Sequence, residues 1–438
     1  MTNNAEILTS VAEMQAFRGK IARGFHIRKI PFSQTRAWSL VNGAIGHQSG
    51  GFFSVVGAAC DRDETSRGVY LYQPQQALNG LLTTTIDGES YFLVHARIEP
   101  GNLGVVQFAP TIQSTPANYL RLHGGRGTPY ISHFFSPQAG SVPYADINQP
   151  DLGERYFMKN KRLVYVEVET PLATEANFAW VPASVMCLAA RESALLNTDL
   201  RSMLALLPWR KILRQPVQSD VATALRASMD SDLRPEILGR VMTALGTQAG
   251  LAPTLNTMFP LHELSNWELS EQGLRERHPS QGFDVEFFEI TAPGREVEQW
   301  VQPLINSRTP GGLDLYLRLR DGRLEALVTV MAERGLACGA ALFPSRMSYP
   351  GGTRLSGAAG MSPSVPDATV VMETTESDEG GRFFFDESQY RLVLVSDDLP
   401  EHDTQTWLNM NELQFVLQRS NTCSIQLRCV ASLLYGII

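Results

Sequence analysis

Ile7, Leu8, Val11, Met14, Phe17 and Ile21 recur at the spacing of one helix face, and Ser10 with Glu13 offers a capping box at its start. The pattern predicts an amphipathic helix that docks on the body of the protein. Between His47 and Ala59 the period changes: Phe52, Phe53, Val55 and Val56 follow a glycine turn and predict a strand. Asp87-Gly88 is a hairpin-turn dipeptide that leads into Tyr91–Ile98, where apolar and polar residues alternate in the second half. Leu163, Val164, Tyr165 and Val166 predict another strand within Arg162–Val168. From Pro182 to Leu207 the period is helical, with Asn197-Thr198 as a start signal and Pro208 as a stop. The same succession then returns, with strands around Phe287-Phe288, Leu324–Met331 and Tyr390–Val395 and helices between Asn411 and Tyr435.

That return is a duplication. Trp38 has a counterpart in Trp267 and Gln73-Pro74 in Gln302-Pro303, both 229 positions on. Asp87-Gly88 matches Asp321-Gly322, and Glu99 with Gly101 matches Glu333 with Gly335, all 234 on. Arg155, Phe157, Trp180 and Arg201 match Arg382, Phe384, Trp407 and Arg428, all 227 on. The shared order and near-constant offset predict two globular copies of one α+β fold, a tandem duplication of a mixed-sheet domain with packed helices. The expected boundaries are 1–208 for the first repeat, 209–255 for a helical connector without a counterpart at the start of the chain, and 256–438 for the second repeat. Ser219-Asp220 followed by Val221, Leu225 and Met229, then Ile237, Val241, Met242 and Leu245, supports the connector.

Composition narrows the chemistry. A chain of 438 residues with 43% hydrophobic residues has ample core material for two to four domains. A net charge of -8 argues against a nucleic acid or an anionic membrane as main partner. No apolar run approaches a membrane span, and the first segment lacks the apolar core of a signal peptide. Five scattered cysteines without a CxxC pair fit a reducing cytoplasm and not a structural zinc site. GxxxxGK[ST], GxGxxG after a strand, GxSxG, HExxH and the EF-hand loop are all missing, so P-loop and nicotinamide chemistry are unsupported.

Residues 91–135 carry the densest chemistry. Gln113, Ser114, Thr115, Asn118 and Tyr119 offer hydroxyl and amide contacts, and Arg121 and Arg126 offer forks suited to phosphate, with His123 between them. Lys159, Lys161 and Arg162 add three positive charges in four positions. In an acidic protein this concentration suits a compact polyanion such as a diphosphate; a polar loop beside a solvated strand edge is the alternative.

Several stretches resemble one family. They are His47-Gln-Ser-Gly-Gly-Phe-Phe53, Gln73-Pro74, Glu99-Pro-Gly-Asn102, Val106-Gln107-Phe108-Ala-Pro-Thr111, Gln113 and Asn118-Tyr119-Leu-Arg121-Leu-His123-Gly-Gly125. In the second half the likeness continues through Gln302-Pro303-Leu304, Asp378-Glu-Gly-Gly-Arg-Phe383 and the Trp407–Leu434 helical segment. Over roughly residues 25–438 the chain resembles the NDP-hexose 2,3-dehydratases, which act on dTDP-4-keto-6-deoxy-glucose. The resemblance implies a duplicated Nudix-like fold, a homodimer and no redox cofactor. The metal-binding Nudix pattern itself is absent. Its nearest fragment is Arg295-Glu296-Val297, with Gln281 and Phe287 where the pattern needs Gly and Glu, and the first repeat offers only Arg191-Glu192-Ser193. Carboxylate-held Mg²⁺ is therefore not expected.

The implied reaction removes the proton at C3, acidified by the C4 ketone, and expels the C2 hydroxyl; the enol relaxes to a 3,4-diketo-2,6-dideoxy sugar. Glu99 and His123 are the expected acid–base pair and Tyr119 the donor to the C4 oxygen. Trp38, Gln113, Ser114, Thr115, Asn118, Arg121, Arg126, Lys159 and Lys161 are the expected substrate contacts. Glu99 is matched by Glu333, which also fits a turn role, and Trp38 and Trp267 suit either base stacking or a core. His47 is matched by His278 and reads as structural, while His95, aligned with Thr329, faces either pocket or core. The second repeat replaces the Gln113–Arg126 constellation with Gly339–Tyr349, and Lys159, Lys161 and Arg162 with Asp386, Ser388 and Gln389. The working pocket is therefore expected in the first repeat, with a vestigial second pocket around Trp267 and Arg382. A non-catalytic sugar-nucleotide binder and an epimerase or isomerase of another 4-keto sugar nucleotide are the rival readings.

Overall fold

The computed structural model describes residues 4–122, 124–136, 140–217, 219–278, 281–351 and 368–438. Each repeat contains a seven-stranded mixed sheet and a five-stranded antiparallel sheet. In the first repeat the large sheet runs Ser141–Pro150, Asn160–Val168, Ala77–Ile86, Glu89–Ile98, Phe178–Pro182, with Val106–Ala109 and Ile112–Ser114 paired to its central hairpin. The second repeat reproduces this order with Thr369–Ser377, Glu387–Leu394, Gly311–Arg320, Arg323–Ala332 and Gln405–Asn409, joined by Ala340–Phe343 and Arg346–Ser348. One parallel pairing interrupts each otherwise antiparallel large sheet at the same place, Asn160–Val168 on Ala77–Ile86 and Glu387–Leu394 on Gly311–Arg320.

The small sheets tie the repeats together. Strand His26–Ile30 precedes the first small sheet in sequence but pairs with Phe283–Thr291 of the second. Strand Thr257–Phe259 in turn pairs with Ser54–Cys60 of the first. Each repeat thus lends an entering strand to the other, an exchange invisible to periodicity because it is a matter of pairing and not of propensity.

Pairing register tests the sequence matches residue by residue. Thr111 Oγ1 accepts from Leu82 N and donates to Leu93 O, and Ser345 Oγ does the same with Tyr316 N and Leu327 O. Every member of that pair of motifs is 234 positions apart. Two matches are corrected. Trp38 pairs with His47 and Trp267 with Glu276, so the counterpart of His47 is Glu276 and not His278. Leu71 bridges Tyr156 and Ile305 bridges Phe383, which makes Ser307 the counterpart of Gln73. Gln302-Pro303 lies inside strand Gln299–Ser307, whereas Gln73-Pro74 follows the end of strand Asp63–Tyr72.

The helices cover the large sheets. Helix Val11–Ile21 starts at Ser10, whose Oγ accepts from Glu13 N at 3.2 Å, while the Glu13 carboxylate accepts from Thr9 N at 2.7 Å. Met14 and Phe17 are buried, and Phe17 stacks on Phe108. Helices Thr198–Leu206 and Ile425–Ala431, each capped by its preceding polar residue, Asn197 and Ser424, pack on each other at the centre. Within 209–255 the helices are Trp209–Ile212, Asp220–Met229, capped by Ser219, and the long Pro235–Leu251. The last of these helices does have a counterpart at the start of the chain. Pro235–Leu251 packs on Arg323–Ala332 and Ala340–Phe343 just as Val11–Ile21 packs on Glu89–Ile98 and Val106–Ala109.

Candidate active site

The repeats meet through two reciprocal turns. Gly101 N donates to Gly380 O at 2.9 Å and Phe385 N to Gly101 O at 3.0 Å. In the mirror contact Gly335 N donates to Gly153 O at 3.0 Å and Met158 N to Gly335 O at 2.8 Å. A β-carbon on Gly101 would stand 1.5 Å from Phe383 O, and one on Gly335 2.0 Å from Tyr156 O, so only glycine admits this approach. The Glu99-Pro-Gly-Asn turn of the first repeat is thereby locked against the Glu379-Gly-Gly-Arg turn of the second.

Above the first of these contacts lies a cavity of about 490 Å³, within the usual range for small-molecule sites. The first repeat's strands supply Trp38, His47, Asn79, Arg97, Gln113, Ser114 and Lys161, its turns and loops supply Phe53, Glu99, Thr115 and Lys159, and the short helix Pro116–Tyr119 and helix Thr198–Leu206 supply Asn118 and Asp199. The second repeat closes the space with Arg295, Glu296, Trp300, Gln302, Glu379 and Arg382. The counterpart space in the second repeat is about 10 Å³, room for about one water. Leu313, Met347, Tyr349 and Gln426 occupy the positions of Asn79, Gln113, Thr115 and Asp199 and fill it, with Gln426 Nε2 donating to the Tyr349 hydroxyl and that hydroxyl donating to Glu333.

Glu99 is buried and oriented by three donors. Gln113 Nε2 reaches its Oε1 at 2.9 Å, Arg97 Nε the same oxygen at 3.4 Å, and Asn102 Nδ2 its Oε2 at 3.3 Å. Gln113 is itself fixed by Asn197, the cap of helix Thr198–Leu206, whose Nδ2 donates to its Oε1 at 2.8 Å. Across the junction, Glu379 Oε2 accepts from the Tyr156 hydroxyl at 2.8 Å and its Oε1 from Gly381 N at 2.9 Å. Burial pushes the Glu379 carboxyl above the usual carboxylate range, against the pull of Lys159, Arg382 and Lys161.

A buried ionic cluster forms the floor. Asp151 forms ion pairs with Lys159 at 3.0 Å and Lys161 at 3.1 Å, and Asp199 accepts from Lys161 at 2.7 Å. Burial lowers the Lys159 ammonium despite Asp151, and Lys159 also lies 3.8 Å from the centre of the Tyr156 ring. Asp151 is held well below the ordinary range because its two lysines outweigh its own burial. On the opposite wall Glu296 is bound between Arg97 and Arg295. The fragment Arg295-Glu296-Val297, nearest to a Nudix signature, is thus a loop whose acid is spent on ion pairs. Among the described residues no group of three His, Cys, Asp or Glu is placed to hold a metal ion.

Of the residues singled out from sequence, Trp38, Glu99, Gln113, Ser114, Thr115, Asn118, Lys159, Lys161 and Arg382 line this one cavity. Tyr119 does not: it packs on Phe135 with ring centres 5.1 Å apart, in the apolar cluster on the other face of the sheet. Arg121 is exposed at a left-handed turn, φ 59°, and Arg126 is an exposed partner of Glu298 at 3.0 Å, so neither fork reaches the cavity. His123 lies outside the described residues. Lys159 and Lys161 line the space, but their charges are already engaged by Asp151 and Asp199. The grouping of Trp267 with Arg382 is corrected: Trp267 packs on Phe283 in the second small sheet, whereas Arg382 crosses to the main cavity and lies over Phe53. Trp38 is 5% exposed and donates Nε1–H to Val301 O at 2.6 Å, so most of its ring is core. His95 stacks on Phe178 and is pushed down to about 3 by burial and by Arg97.

Sequence reasoning missed Asn79, Arg97, Glu296 and Glu379. Asn79 is 1% exposed, and among the described residues neither polar atom of its side chain has a hydrogen-bond partner. A buried Asn and a buried Arg inside strongly apolar strands were the available signals for the first two. Glu379 stood in the quoted Asp378–Phe383 stretch, but only the fold shows that this stretch faces the first repeat.

Among the described residues no helix is long and apolar enough to cross a membrane. The family model described as NDP-hexose 2,3-dehydratase matches the chain twice, at residues 12–207 and 241–434. The second match begins inside helix Pro235–Leu251, in agreement with its packing. Three relatives are described as dTDP-4-dehydro-6-deoxy-alpha-D-glucopyranose 2,3-dehydratase. The one from Streptomyces violaceoruber is 28% identical over 94% of this chain and 94% of its own length. That from Saccharopolyspora spinosa is 26% identical over 94% and 88%, and that from Amycolatopsis orientalis 25% over 93% and 86%. With two matches that together span nearly the whole chain, on a fold that is itself duplicated, this protein belongs to the NDP-hexose 2,3-dehydratase family.

Proposed function

We propose that this chain is a hydro-lyase that removes water across C2 and C3 of dTDP-4-keto-6-deoxy-glucose, and that the single working site is the cavity between the repeats. The observation that carries this reading is the oriented, buried Glu99 carboxylate, held by Gln113, Arg97 and Asn102 inside a cavity that also bears cationic groups. Glu99 is the base for the C3 proton. Asn79, with a free carboxamide, is the donor to the enolate on the C4 oxygen, in place of Tyr119. Such a donor is worth roughly 3–4 kcal/mol in the transition state. Arg382, whose Nε has no partner among the described residues, meets the diphosphate, and the aromatic wall of Trp38, Phe52 and Trp300 borders the nucleoside. The reading extends to a homodimer, as the resemblance implies, and to a reducing cytoplasm, as the scattered cysteines suit, with sedimentation as the check on oligomeric state.

The test is mass spectrometry of the purified protein with dTDP-4-keto-6-deoxy-glucose in D₂O, with the labile product caught at once. Loss of one water supports the dehydratase. Deuterium uptake without water loss assigns an epimerase or isomerase instead, and unchanged, tightly bound substrate assigns a non-catalytic binder. Glu99→Gln is expected to lower kcat roughly 10²–10⁴-fold with binding retained.

A further inference from the structure

We propose that Glu379, contributed by the second repeat, is the catalytic acid that protonates the departing C2 hydroxyl. The inference rests on the dehydratase reading above and assigns the half of the acid–base pair that reading leaves open.

Among the described residues four carboxyl groups line the cavity, and three are bound to cations. Glu99 is paired with Arg97, Glu296 with Arg97 and Arg295, and Asp199 with Lys161. Among the described residues Glu379 has no such ion pair; its oxygens meet a phenol and a backbone N–H. An acid must hold its proton until it is needed, and an ion-paired carboxylate gives that proton up first. Burial favours the protonated form of Glu379, and the charge of Glu99 acts in the same direction.

Position supports the same role. The point where a β-carbon on Gly381 would stand is 2.5 Å from Glu379 Oε1 and 3.6 Å from Glu99 Oε1. The two carboxyls therefore flank one glycine, close enough to serve adjacent carbons of one sugar ring. Arg382, the next residue, is the proposed diphosphate contact, and the diphosphate is attached at C1, beside C2. The charged and titratable groups around Glu379 are Lys159 and Lys161 from the floor, Arg382 from its own turn, Tyr156 from the turn before Lys159 and Glu99 from the facing turn.

The step balances without a cofactor. Glu99 takes the C3 proton, and the electron pair forms the enolate. It then collapses to the C2–C3 double bond as the C2–O bond breaks, and the leaving oxygen takes the Glu379 proton to depart as water. In the tautomerisation that follows, C2 takes up the proton held on Glu99 and the C3 hydroxyl returns one to Glu379. Both carboxyls are restored.

The two carbons can be read separately in D₂O. Glu379→Gln is expected to keep exchanging the C3 hydrogen while water loss falls roughly 10²–10⁴-fold; Glu99→Gln is expected to lose both. Water loss at the wild-type rate in Glu379→Gln overturns the assignment, as does loss of exchange together with elimination. A wild-type enzyme that exchanges but never loses water overturns the dehydratase reading instead. Should Glu379→Gln fail to fold, Tyr156→Phe tests the same claim. It removes a donor that stabilises the carboxylate, so the alkaline limb of the kcat profile is expected to move to higher pH, and an unmoved limb counts against Glu379.

Discussion

The guanidinium of Arg382 lies 4.3 Å from the centre of the Phe53 ring, and its counterpart Arg155 lies 4.6 Å from the centre of the Phe283 ring. Each arginine crosses from its own repeat to the other, but the two have diverged. Arg155 is 2% exposed and donates to Pro350 O at 2.7 Å and Gln281 O at 3.4 Å, while Arg382 faces a cavity. Arg382→Ala is therefore expected to raise KM for the sugar nucleotide roughly 10–100-fold, the equivalent of one charge-assisted bond, with little change in melting temperature. Arg155→Ala is expected to do the reverse. Paired KM and thermal-melt measurements check both; equal effects on both quantities would deny the division of labour.

Lys161 looks like a phosphate anchor in sequence and is a structural ion in the fold. It is 4% exposed and sits between Asp151 and Asp199. Its ammonium is held strongly charged by those two acids despite its burial. Removing one member of such a cluster strands the other charges away from water, at a cost of about 3–5 kcal/mol. Lys161→Met is expected to lower the denaturant midpoint accordingly. A variant of normal stability with a raised KM would return Lys161 to the ligand.

These two cases mark what the sequence could and could not reveal. The duplication, the Asn197 cap and the strands at Tyr91–Ile98 and Arg162–Val168 were legible because local pattern and turn chemistry decide them. Glu99 and Gln113 were legible as a motif. The exchange of His26–Ile30 for Thr257–Phe259 was not, because short strands carry no record of their partners. Nor was the loss of Tyr119, Arg121 and Arg126 from the site: a short turn at Pro116–Tyr119, ending at the left-handed Arg121, sends them to the opposite face or to solvent. Residue type suggested phosphate chemistry there, and backbone direction overruled it. Glu379 was hidden for a third reason, since its role depends on a junction between segments nearly 300 positions apart.

Burial of the filled second site makes stability depend on pH. Asp378 and Asp386 take the positions of Asp151 and Lys159, and two acids now stand where the first repeat has an ion pair. Burial, joined at Asp378 by the charge of Asp386, pushes Asp378 up to about 7, and burial alone pushes Asp386 up to about 6. Buried Glu333 is raised in the same direction, with the charge of Glu154 adding to its burial. A raised folded-state value means that the folded chain binds more protons than the unfolded one, so this contribution weakens as pH rises. The share of the two aspartates is fully present below the ordinary carboxylate range near 4 and is lost progressively up to about pH 7. Asp378→Asn is expected to flatten the fall in stability between pH 5 and 7, where each unit of displaced titration is worth about 1.4 kcal/mol. Unfolding midpoints across that interval check it; identical slopes for variant and wild type would mean that Asp378 ionises normally.

The exchanged strands make the halves dependent on each other. Without residues 257–259, strand Ser54–Cys60 loses a pairing partner, and Gly57 loses the Phe259 ring packed against it. An exposed strand edge of apolar residues is a template for aggregation. The fragment 1–208 would also lack Glu379 and Arg382, so its cavity would be open on one side. It is expected to be insoluble or readily proteolysed when produced alone, and soluble when co-produced with 209–438. The reunited halves are expected to regain the water-loss activity, because no covalent link at 208–209 is needed for the pairings that close the site. Co-purification followed by the D₂O assay checks this. A fragment 1–208 that melts cooperatively by itself and dehydrates the substrate would mean that the second repeat is dispensable, and would remove Glu379 from the mechanism at the same time.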